Sequence, residues 1–145
     1  MLGVTSSVSS LAVLTLSANQ TTNLNTGDKI AFDTIFSTSG WIKMTAGTVT
    51  LNGPGRYLLQ ANPQQRGSAA NAVTQWYDVT NSSFTGKKQY SPGYTITGLN
   101  SLVFFAVAFI NLTTSSPKQV ELRIQMGGGT GTAWTTNTWA FIHRL

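Results

Sequence analysis

The chain has 145 residues, the length of one domain (1–145), enough to bury a core without staples. It contains no cysteine, which excludes a disulfide framework and a Cys-based zinc site. Its net charge of +5 comes from scarce acids (Asp28, Asp33, Asp78, Glu121) and not from clustered bases, so nucleic-acid binding is not expected.

The N-terminal stretch has an apolar patch, but it lacks a positive leader and is too short for a signal-peptide core; it reads as a strand, Leu11–Ser17. Further strands are expected at Lys29–Ser37, Trp41–Met44, Gly47–Leu51 and Gly55–Ala61. Asp28 is placed in a turn at Thr26-Gly27, and Asn52-Gly53-Pro54-Gly55 joins positive-φ residues to a φ-locked proline, which predicts a tight turn. Ala72–Val79, Gln89–Thr97, Ser101–Leu112, Gln119–Met126 and Thr138–Leu145 complete the set, with breaks at Ser91-Pro92-Gly93 and Ser115-Ser116-Pro117. Turn signals roughly every 8–12 residues predict an all-β sandwich or barrel. No apolar run approaches the roughly 20 residues of a membrane helix, so no membrane association is expected. Gly127-Gly128-Gly129-Thr130-Gly131 reads as a flexible loop; without a P-loop or Rossmann pattern it predicts no nucleotide cofactor.

The most informative segment is Leu102–Ile110, LVFFAVAFI, nine consecutive apolar residues in a chain otherwise rich in Ser, Thr, Asn, Gln and Gly. In a strand, Leu102, Phe104, Ala106, Ala108 and Ile110 line one face, and Val103, Phe105, Val107 and Phe109 line the other. One face belongs in a sandwich core. The chain shows no amphipathic helix to cover the second, so a second sheet or another subunit must do so.

Catalytic patterns are missing. The single histidine, His143, sits in the last expected strand; there is no G-x-S-x-G elbow or H-E-x-x-H pair, and the four acids are dispersed. An enzyme is not expected, and neither is a metal or other cofactor. Among the aromatics, Trp134 beside the glycine loop is the candidate for an exposed recognition contact.

Gln20–Phe32, with Gly27-Asp28-Lys29-Ile30-Ala31-Phe32, followed by Gly47-Thr-Val-Thr-Leu-Asn-Gly-Pro-Gly-Arg-Tyr57, resembles the opening strands of the C1q/TNF-like jelly rolls. Val120–Gln125 and the closing Trp139-Ala-Phe-Ile-His-Arg-Leu145 resemble the last two strands of that fold. The resemblance implies a two-sheet antiparallel jelly-roll sandwich of about ten strands that assembles as a homotrimer. Tyr57, Leu102, Val103, Phe104, Phe105, Val107, Phe109, Trp139 and Phe141 then become candidates for core or trimer interface, with faces unassigned. No collagen stalk, secretion signal or membrane anchor like those of the animal proteins is expected from this sequence, which looks more like a bacteriophage structural trimer. The expectation is a capsid decoration (cement) protein on the virion surface, its partners being itself and the major capsid protein. The alternative is a trimeric tail-fibre or spike tip, or a C1q-like module, that binds a host receptor or glycan.

Overall fold

A computed structural model describes residues 10–67, 72–91, 105–126 and 132–145. The strands are β1 (Ser10–Thr15), β2 (Thr34–Ser37), β3 (Ile42–Thr45), β4 (Thr48–Leu51), β5 (Gly55–Asn62), β6 (Gln65–Gly67), β7 (Ala72–Asp78), β8 (Ser83–Ser91), β9 (Ala106–Leu112), β10 (Lys118–Met126), β11 (Thr132–Trp134) and β12 (Trp139–Arg144). Ten of them form one antiparallel ribbon in the order β2-β1-β12-β5-β9-β8-β7-β10-β4-β3, and β11 pairs separately with β6. The ribbon doubles over at β8 into two layers, β2-β1-β12-β5-β9 and β7-β10-β4-β3.

Alternation puts one side of each layer into a shared core. In the first layer, Leu14 lies in register with Ala140, Ala61 and Ala106, and the next inward row is Ala12, Ile142, Leu59 and Ala108. The second layer contributes Leu122 beside Trp76, Val120 beside Val49, and Leu51 beside Ile42. All of these are buried in one cluster. The Trp76 indole spans the layers and donates from Nε1 to the Ala106 carbonyl at 3.1 Å. This is the expected all-β jelly-roll sandwich, and Ala106, Ala108 and Ile110 occupy its interior as one face of the apolar run requires.

The predicted turn at Asn52–Gly55 is present and has a fastener. Gly53 adopts φ +77°, and a Cβ there would stand 2.5 Å from the Trp41 ring. The fully buried Tyr57 donates its hydroxyl to the Asn52 carbonyl at 2.9 Å, so this aromatic belongs to the core. Burial raises the Tyr57 phenol above its ordinary pKa, although the nearby Arg144 opposes the shift.

Some boundaries differ from expectation. Of Lys29–Ser37 only Thr34–Ser37 is a strand; the segment before it runs beside β10 through a single bridge, Lys29 to Arg123, and an Ile30 amide hydrogen bond to Leu122. The strand expected at Gln89–Thr97 begins instead at Ser83, and 92–97 lies outside the described residues. Its first half is polar and broken by Gly86, a composition that imitates a loop. Gly86 is in fact a β-bulge residue at φ +76°, where the register of β8 on β7 shifts and β8 passes over to β9. A Cβ at Gly86 would lie 2.1 Å from the Val107 carbonyl oxygen, so the crossing admits only glycine. The expected glycine loop at 127–131 also lies outside the described residues.

Candidate functional site

The outward side of the first layer is where the second face of the apolar run emerges. Phe109 is 68% exposed and Phe105 39%, while Val107 is half-buried. Leu102, Val103 and Phe104 lie outside the described residues. Trp139 and Phe141 of β12 stand on the same side: the Trp139 ring centroid is 5.6 Å from Phe105 and 4.8 Å from Phe141.

Register extends the patch across the whole layer. One outward row runs Phe36, Val13, Phe141, Gln60, Val107; the next runs Leu11, His143, Leu58, Phe109. Phe36 is 67% exposed and Leu11 36%. Toward β8 the surface dips into a groove of about 600 Å³ lined by Phe105, Val107, Phe109 and Gly86, with Lys87 and Lys88 on its rim. A contiguous aromatic and aliphatic surface of this kind marks an association site, because each large apolar side chain left in water forgoes about 1.5–3 kcal/mol of burial.

The predicted interface residues Phe105, Val107, Phe109, Trp139 and Phe141 thus converge on one outward face, whereas Tyr57 is separated from them in the core. Trp134 corrects the expectation of an exposed recognition contact. It is 2% exposed, paired through β11 to β6 and bridged by reciprocal backbone hydrogen bonds to Gln20. Its neighbours in sequence are polar, but strand β11 turns the indole inward. Leu11, Val13, Phe36 and Leu58 were not singled out from the sequence. Short two-sided apolar runs, Leu11–Leu14 and Tyr57–Leu59, carry the same signature as Leu102–Ile110 and would have revealed three of the four. Phe36, on a four-residue edge strand, offers no such pattern.

The outward side of the second layer is different in kind. Glu121, 6% exposed, lies between Lys29 (Nζ to Oε1, 3.3 Å) and Arg123 (Nη2 to Oε2, 2.7 Å) and accepts a 2.6 Å hydrogen bond from the Thr48 hydroxyl. The Arg123 guanidinium carbon sits 3.7 Å from the centre of the Tyr77 ring, and Tyr77 meets Phe84 edge-on. Burial pushes the Glu121 carboxyl up, but the hydrogen bonds from Thr48, Arg123 and Lys29 outweigh it and hold the group below its ordinary pKa. Asp78 follows the same logic: burial works upward, while hydrogen bonds from Lys118, at 2.6 Å, and Asn81 prevail and lower it. Asp33 is lowered chiefly by the Ser17 hydroxyl and then by the Ser17 amide. Asp28 closes the predicted turn by accepting from the Asn25 amide at 2.8 Å.

These contacts use the carboxylates structurally. Among the described residues no three His, Asp or Glu side chains gather as metal ligands, and His143 faces outward between Leu11 and Leu58. By contrast Lys43, Arg56, Lys87 and Lys88 are exposed and, among the described residues, have no carboxylate partner.

No protein-family model and no curated protein matches the chain by sequence. Solved structures do match it in shape. Murine APRIL, crystallised at pH 8.5, superposes with a TM-score of 0.61 at 8% identity, covering 94% of this chain and 99% of that one. The fold is that of the TNF-like jelly rolls. Eiger TNF from S. frugiperda agrees, with a TM-score of 0.61 at 10% identity over 94% of this chain and 91% of that one. Identity this low carries the architecture and leaves the surface chemistry to the residues of this chain.

Proposed function

We propose that this chain is a non-enzymatic structural protein that assembles as a homotrimer through the outward apolar face of its first layer and decorates the capsid of a bacteriophage. The observation that carries the assembly is the Phe36, Phe105, Phe109, Trp139 and Phe141 surface, too apolar and too continuous to stay in water. A TNF-like sandwich that meets copies of itself head-to-tail about a three-fold axis closes into a ring and leaves no free apolar edge. The charge arrangement supports the capsid partner. The buried acids Glu121 and Asp78 are neutralised internally, which leaves a net charge of +5, with Lys43 exposed on the edge strand of the second layer, to steer the protein toward an acidic lattice.

Two measurements test the reading. Light scattering coupled to size exclusion is expected to give three times the 15.5 kDa chain mass; a concentration-independent monomer overturns the trimer. Quantitative mass spectrometry of purified virions from the encoding genome is expected to find the chain in fixed proportion to the major capsid protein. A few copies per particle would instead identify a fibre or spike tip that binds a host receptor or glycan, and absence from virions would overturn both uses.

A further inference from the structure

The second layer carries a cleft of about 440 Å³, lined by Asn23, Gly27, Asp28, Lys29, Ala31, Glu121 and Arg123. That volume lies within the roughly 300–1,000 Å³ of small-ligand sites. The cleft has a floor, Glu121 and Arg123 on β10, and a wall, the segment 23–31 that runs beside β10. The wall is held at many points. Gly27 donates to the Ile124 carbonyl at 2.7 Å, Ile30 donates to Leu122 at 2.9 Å, and Ile124 donates to Asp28 at 2.9 Å. The Gln20 side chain clamps it from behind, donating to the carbonyls of Thr22, Asn23 and Lys29 and accepting from the Ala31 amide. Such a cleft is formed before any ligand arrives.

Hydrogen-bonding capacity indicates what it would hold. Glu121 is occupied on both oxygens: Oε1 accepts from Thr48 and Lys29, and Oε2 engages Arg123. Arg123 uses Nε and Nη2 on Glu121, yet a guanidinium has five N–H groups, and Lys29 has three of which two serve Thr48 and Glu121. The floor therefore has surplus donors and a saturated acceptor. Stacking on Tyr77 fixes the guanidinium plane, the preorganisation that bidentate carboxylate recognition needs. On the wall, Asp28 and Asn23 line the cleft and are residues whose polar groups meet hydroxyls.

We infer that this cleft binds a carboxylate-bearing sugar, with the carboxylate on Arg123 and Lys29 and ring hydroxyls toward Asp28 and Asn23. The site is on the opposite layer from the association face, so it stands or falls independently of the trimer.

The test is an amide NMR titration of the whole protein with sodium glucuronate, glucose and acetate in turn, at constant ionic strength. Glucuronate is expected to give saturable shifts centred on Asn23, Lys29 and Arg123, with glucose and acetate each at least tenfold weaker. Arg123→Lys keeps the charge next to Glu121 but loses the fork, and is expected to weaken glucuronate about tenfold with the rest of the spectrum unchanged. Lys29→Gln serves as the second variant should Arg123→Lys alter the fold, and the same weakening is expected. Three results each overturn the inference: no saturable shift with glucuronate, equal affinity for acetate or glucose, or undiminished affinity in a folded variant.

Discussion

On the first layer the side chains that point away from the core include Leu11, Val13, Phe36, Leu58, Val107, Phe109, Trp139 and Phe141, interrupted by Gln60 and His143; on the second they include Thr48, Tyr77, Glu121 and Arg123. Inside, the two layers are alike, each presenting aliphatic residues to one cluster. The difference shows that the fold needs only the inward alternation, which both layers meet. The outward positions are left free to specify what the molecule does. An apolar outward face is stable only when covered, and an ion-paired one is stable in water. The first layer is therefore built for contact and the second for exposure.

The largest expected effect comes from breaking the seam between the layers. Gly86 sits at φ +76° with its would-be Cβ 2.1 Å from the Val107 oxygen and 2.7 Å from Ala108 Cα, both backbone atoms that cannot swing aside. Gly86→Ala combines left-handed strain with overpacking and is expected to cost about 2–6 kcal/mol. Gly40→Ala, where a Cβ meets nothing within 4 Å, is the control and should leave the calorimetric melting temperature nearly unchanged.

The contrast between the two outward faces governs the next effect in size. Phe109→Asp places a charge on a side chain that is 68% exposed in the single chain, so the protomer is expected to fold with an unaltered circular dichroism spectrum. Within a trimer the same carboxylate would be taken out of water among aromatic side chains, and the mass by light scattering is expected to fall threefold. Thr45→Asp, on the exposed edge strand of the second layer, should leave the mass unchanged. If both substitutions dissociate the assembly, the distinction between the faces is lost.

How much of this was legible in the sequence depends on whether a residue's neighbours in space share its periodicity. Ala106–Leu112, Gly55–Asn62 and Trp139–Arg144 are regular strands, and alternation alone places Phe105, Val107 and Phe109 together on one face. The turn at Asn52–Gly55 was legible because its chemistry is local. Trp134 was misplaced because its burial depends on pairing with Gln65 and on the bridge to Gln20, partners 69 and 114 residues away. The cleft was invisible for the same reason. Lys29 and Glu121 are separated by 92 positions, and nothing in either local sequence announces the other.

Within the polar face, Glu121→Ala would leave Lys29 and Arg123 against each other with no anion between them. Both bases are partly solvated, at 34% and 26% exposure, which reduces the penalty below that of a fully buried pair. A loss of about 1–3 kcal/mol in urea unfolding is expected, with assembly mass retained. A variant that instead fell apart into monomers would couple the two faces and refute their separation.

The response to acid is the weakest effect, and the two faces should answer it differently. Glu121 and Asp78 both titrate below their ordinary values of 4.5 and 3.8 in the folded chain. A depressed carboxylate contributes stability that is fully present above its unfolded pKa and is lost as the pH falls through the folded value. The melting temperature is therefore expected to be flat between about pH 7 and 5 and to decline below the ordinary carboxylate range. Glu121→Gln removes one of the two buried titrating groups and should make that decline shallower. The described apolar outward side chains carry no carboxylate, so the mass by light scattering should hold wherever the protomer is still folded. Dissociation at a pH where the melting temperature has not yet moved would mean that an ionisable group takes part in association, and His143, between Leu11 and Leu58 on that face, would be the first residue to replace.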